Sequence, residues 1–149
     1  MAATGAERRF RIFVYGTELP GEPDHVLLAG AVLLGPARTA PGYALVELVG
    51  FAGLVAEGQG EVAGELWEMP YETLRGLDVR REVGRLFQRR HVRLADGSDV
   101  EAYLLETDQV RGKRRVRGGD WRARFAPQRP GELHEAGPFV RWARSSRPR

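Results

Sequence analysis

Apolar and β-branched residues crowd positions 10–14, Phe-Arg-Ile-Phe-Val, and run straight into Tyr15-Gly16-Thr17. That pattern predicts a strand delivering a tight loop. Pro20-Gly21-Glu22-Pro23 reads as a turn, with Asp24 placed to cap a short helical segment over 25–28. An apolar strand over 31–34 is expected to break at Gly35-Pro36. Alternation over 43–49 predicts another strand, and the glycine-spaced stretch 50–60, carrying Phe51, Leu54 and Val55, reads as a loop. A further strand covers 61–69, with Val62, Leu66 and Met69 as buried positions. Pro70 then opens a helix that places Tyr71, Leu74 and Leu77 on one face. Residues 87–94 and 100–105 alternate on either side of Asp96-Gly97, a hairpin dipeptide. Five or six strands with one or two short helices predict an α+β domain, mixed but mainly antiparallel, as a small closed β-barrel.

Charge changes this picture mainly at the ends. The 149 residues carry a net charge of +3, with 42% hydrophobic and 29% charged residues, an ordinary globular balance that fits one domain. Basic residues gather over 80–93 and from Arg111 to the C-terminus. Such runs read as solvated ends, so no nucleic-acid partner is expected. Residues 1–126 form the expected domain. Residues 127–149 form a basic, loosely ordered tail in which Phe139, Val140 and Trp142 are the apolar anchors, while Trp121 and Phe125 anchor the segment before it.

Absences narrow the chemistry. No cysteine is present, which excludes disulfides and thiolate catalysis and suits a reducing compartment. No apolar run is long enough to cross a bilayer, and residues 1–9 lack the apolar core of a secretory signal. The expectation is a cytoplasmic protein without a membrane partner. His25, His91 and His134 lack metal-ligand spacing, and no Ser-His-Asp set, phosphate-binding loop or dinucleotide fingerprint occurs.

One segment points to chemistry. A strand ending in Tyr15-Gly16-Thr17 lets the backbone turn sharply and lets successive N–H groups face one anionic oxygen. Around it, Phe13-Val14-Tyr15-Gly16-Thr17, Gly35-Pro36-Ala37-Arg38-Thr39, Gly42-Tyr43, Gly60-Glu61-Val62-Ala63-Gly64-Glu65-Leu66-Trp67 and Leu77-Asp78 stand in one order. So do Arg85-Leu86-Phe87-Gln88-Arg89 and the hairpin to Tyr103. Over roughly residues 10–125 this order resembles the γ-glutamylcyclotransferase-like (AIG2-like) family. The resemblance implies a barrel with a cavity at its mouth, where Tyr15, Gly16 and Thr17 bind the glutamyl part of a small-molecule γ-glutamyl substrate. It also implies an acid/base glutamate after Leu-Asp, and no cofactor, metal or nucleotide. The implied reaction is attack of the substrate's α-amine on its own γ-carbonyl, releasing an amine and 5-oxoproline.

Two positions depart from that pattern. Glu18 stands where the family loop has leucine, and Arg81 stands three residues after Asp78, where the family has glutamate. Glu82 follows and is the first candidate for the acid/base, with Glu18 as the alternative carboxylate. Arg38 and Arg81 are candidates for holding a substrate carboxylate. The other reading is a module of the same fold that binds an anionic metabolite without catalysis.

Overall fold

The computed structural model describes residues 8–125. The expectations placed on the tail, including Phe139, Val140, Trp142 and His134, lie outside the described residues. Among these, eight strands form one sheet, with a single α-helix and several 3₁₀ turns. The strands are β1 (Arg9–Val14), β2 (Val32–Arg38), β3 (Tyr43–Leu48), β4 (Phe51–Gly60), β5 (Ala63–Pro70), β6 (Gln88–Arg93), β7 (Asp99–Leu104) and β8 (Arg114–Arg115). The helix, α1, spans Tyr71–Arg80. No helix among the described residues is long and apolar enough to cross a membrane.

Spatial order is β2-β5-β1-β7-β4-β3-β8, with β6 paired to β7. Most ladders are antiparallel, while β7 meets β1 at Glu101 and β4 at Leu104 in parallel. The sheet is mixed and mainly antiparallel, as expected, but it is not a closed barrel. β2 and β8 end the path and do not pair with each other.

β1 explains how the core is divided. Successive side chains on a strand point to opposite faces. Ile12 and Val14 pack with Trp67, Leu74, Leu77 and Phe87 on the helix side. Phe13 and Tyr15 pack with Leu45, Leu54, Val92 and Trp121 on the other. All four are buried, so β1 is a central strand with two covered faces.

Four local expectations are corrected. The stretch read as a loop is β4: Ala52, Gly53, Leu54 and Val55 are all buried, which removes the alternation that marks a half-exposed strand. An added Cβ at Gly53 would lie 2.5 Å from Leu105 Cδ1, so that leucine tip would have to shift. Gly35-Pro36 does not end β2, which runs on to Arg38 with a register shift between Leu33 and Gly35. On α1, Leu74 and Leu77 are buried as expected, while Tyr71 is exposed. Trp121 is buried and Phe125 is not.

Candidate functional site

β1 delivers Tyr15, and the chain turns at Gly16, where a Cβ would stand 2.8 Å from that of Ala52. Only glycine lets the loop pass so close to β4. The turn then closes on itself through Leu19 N–H to the Gly16 carbonyl (3.0 Å) and Asp24 N–H to the Thr17 carbonyl (2.8 Å). Tyr15, Thr17, Glu18 and Leu19 are all buried. The Tyr15 hydroxyl donates to the Tyr103 carbonyl at 2.6 Å. Burial, reinforced by Glu18, pushes the Tyr15 phenol well above its usual range, so it stays a neutral donor.

The opposite wall comes from the end of α1. Arg81 N–H caps the helix by donating to the Leu77 carbonyl at 2.8 Å. Its side chain turns inward and is only 8% exposed. The guanidinium pairs with Glu18, donates to Thr17 Oγ1 at 2.7 Å and reaches Asp24 Oδ2 at 3.2 Å. Thr17 Oγ1 in turn donates to Asp24 Oδ2 at 2.7 Å, and Arg80 covers Asp24 Oδ1 at 3.1 Å. Burial works against the charge on Arg81, but Glu18 and Asp24 hold its pKa above the usual value. For Asp24, burial pushes the carboxyl up, yet Thr17, Arg81 and Arg80 outweigh it and the net shift is downward. The cluster therefore consists of ionised groups that complete one another's hydrogen bonds, the condition for burying charge.

A cavity of about 10 Å³, room for about one water, lies beside this cluster, lined by Phe13, Val14, Tyr15, Glu18, Leu77 and Tyr103. Tyr103 is fixed by donating to Asp78 Oδ1 at 2.6 Å. Burial and this bond to Asp78 push the Tyr103 phenol far up as well. Asp78 also accepts two bonds from Arg89, at 3.0 and 3.2 Å.

The structure brings together Tyr15, Gly16, Thr17, Glu18 and Arg81, and it adds Asp24 and Tyr103. Asp24 carries no capping bond, because its carboxylate is engaged by Thr17 and the two arginines. The structure does not bring Glu82 to the loop. Glu82 is exposed, pairs with Arg85 and sits at φ 50°, a left-handed turn that sends its side chain away as Arg81 points in. Arg38 is also elsewhere, paired with Glu61 at 3.1 Å on the surface. His25 packs edge-on against Trp67, with Nδ1 2.8 Å from the Glu18 carbonyl. Asp24 was legible only as a helix cap, since nothing in its neighbourhood of sequence shows Arg80 or Arg81. Among the described residues, no three His, Asp or Glu side chains gather as a metal-ligand set.

Comparison with known proteins agrees with this architecture. A Vibrio cholerae protein named "Putative gamma-glutamylcyclotransferase" is 34% identical over 110 residues, covering 74% of this chain and 93% of the relative. The crystal structure of a protein specific to uropathogenic Escherichia coli superposes with a TM-score of 0.68 at 25% identity, covering 77% of this chain and 94% of that one. An AIG2-like protein from mouse superposes with a TM-score of 0.55 at 26% identity, covering 67% and 78%. The family model described as "Gamma-glutamyl cyclotransferase, AIG2-like" matches residues 12–123, and the chain belongs to that family.

Proposed function

We propose that the chain is a cyclotransferase acting on a γ-glutamyl amine or peptide, with Glu18 as its acid/base. The supporting observation is that Glu18 is the one carboxylate lining the cavity beside Tyr15, whereas Glu82 faces solvent. On this reading the Tyr15-Gly16-Thr17 loop receives the glutamyl group. The substrate α-carboxylate takes over Arg81, which releases Glu18 from its ion pair as the substrate arrives.

Glu18 then removes a proton from the α-ammonium. The freed amine attacks the γ-carbonyl carbon, forming the ring C–N bond and placing negative charge on the carbonyl oxygen, where loop amides and Arg81 stabilise it. Collapse of that oxyanion breaks the original C–N bond, Glu18 returns its proton to the departing amine, and the second proton shed by the ring nitrogen leaves with that amine as its ammonium form. Ring closure within one molecule supplies the proximity. Products are 5-oxoproline and a free amine, with no co-reactant consumed.

A second reading has its own observation. Arg81 fills the position where the family carries glutamate, and its buried charge is neutralised by Glu18. A protein so arranged would bind an anionic metabolite without turning it over. Release of 5-oxoproline from a panel of γ-glutamyl amines separates the two readings. Glu18→Gln should lower turnover on the order of 10²-fold or more, with Glu82→Gln close to the parent. If the parent releases nothing, yet binds glutamate and loses it in Arg81→Lys, the enzyme reading fails and the binding module stands.

A further inference from the structure

A second concavity, of about 550 Å³, shares no lining residue with the cavity beside Tyr15. Its walls are the end of β2 (Arg38), the start of β3 (Tyr43, Ala44, Leu45), the end of β4 (Gly58, Gln59, Gly60) and the segment following β8. A register jump makes room for it. Tyr43 pairs with Gly60 but Ala44 pairs with Val55, so residues 56–59 leave the ladder and stand up as one wall.

Two guanidinium groups reach this groove from separate strands. Arg38 is held by Glu61 at 3.1 Å and Arg115 by Glu57 at 3.0 Å. All four side chains are between 42% and 50% exposed. Exposed pairs of this kind contribute little to stability, so a ligand can replace the glutamates at small cost. The rim also belongs to the most one-sided stretch of charge among the described residues. Residues 111–124 hold six arginines and a lysine against Asp120 alone. Glycine backbone at Gly58, Gly60, Gly118 and Gly119 lines the groove, which allows close approach of a ligand.

We propose that this groove binds a small ligand bearing two oxyanion groups, phosphate or carboxylate, one on Arg38 and one on Arg115. Two guanidinia facing one cleft suit such a ligand, because each can form paired N–H bonds to an oxyanion. The volume matches small-molecule sites rather than a polymer track. Glu57 and Glu61 act as place-holders that keep the arginines extended until the ligand displaces them.

Isothermal titration calorimetry with inorganic pyrophosphate and with citrate, each at low and high salt, tests this. Pyrophosphate and citrate separate phosphate from carboxylate as the preferred group. Arg38→Gln/Arg115→Gln should weaken binding on the order of tenfold or more, as expected for losing bonds to charged groups. Glu57→Gln/Glu61→Gln should tighten it several-fold, a gain that a merely structural role for those pairs would not give. Glu18→Gln should leave it unchanged, so this groove stands or falls independently of the catalytic reading. Absence of binding by either probe, or binding indifferent to both double substitutions, overturns the proposal.

Discussion

Arg81 and Arg89 pose the same problem and solve it differently. Each engages two carboxylates: Glu18 and Asp24 for Arg81, Asp78 and Glu101 for Arg89. Arg89 keeps a quarter of its side chain in water, as do its partners, so solvent shares the work of holding the charge. Arg81 and Glu18 are below 10% exposed and rely on protein groups alone. One cluster fastens Tyr103 in place through Asp78. The other holds a buried ion pair beside a small cavity. Burial, rather than the residues chosen, sets the two clusters apart.

The largest expected effect follows directly. Arg81→Ala strands the Glu18 carboxylate in the core and should cost roughly 3–5 kcal/mol in urea denaturation. Glu18→Leu/Arg81→Leu removes both charges, and its stability should return to the parent's or exceed it. If the double variant is as unstable as the single one, the pair is not behaving as a buried ion pair. Arg89→Ala removes charged hydrogen bonds that water can partly replace and should cost less, about 1–3 kcal/mol. An equal loss at the two arginines would erase the contrast.

Much of this arrangement could be read from the chain, and the failures share a cause. The β1 strand, the α1 face with Leu74 and Leu77, and the Asp96-Gly97 hairpin announce themselves through local pattern. β4 does not, because burial on both faces replaces alternation with a run that glycines interrupt. Arg81 follows Arg80 at a helix end, where charged side chains ordinarily face water. Its partner Glu18 lies 63 positions away. Without that partner in view, Arg81 and Glu82 could not be told apart as the inward residue.

Acid offers a finer test of the buried cluster. The Asp24 carboxyl titrates below its ordinary value in the folded chain. The stability it contributes is therefore complete above the unfolded value of about 4 and is lost as pH falls through the lower folded value. Denaturation midpoints should drop as pH falls below about 4, and Asp24→Asn should flatten that part of the profile. An unchanged slope would assign the acid loss to other carboxylates.

The smallest effect is expected at Glu82, where a left-handed backbone is forced on a residue with a Cβ. Glu82→Gly relieves that conformation and gives up only the exposed pair with Arg85. A gain of about 0.5–1 kcal/mol is expected. A clear loss would show that the turn depends on the carboxylate, and would return Glu82 to consideration at the site.

The bond from the Tyr15 hydroxyl to the Tyr103 carbonyl spans 88 positions of sequence, and it sets a timetable for synthesis. β1 leaves the ribosome before the other described strands, yet its two neighbours in the sheet are β5 and β7. Until residues 99–104 have emerged, the strand that carries the candidate loop has one neighbour, and Tyr15 has no carbonyl to hold. Local pieces such as the β3–β4 hairpin can form early, whereas long-range pairing waits for chain closure. A nascent or prematurely terminated chain would thus display the Tyr15-Gly16-Thr17 sequence without the arrangement that surrounds it in the folded domain.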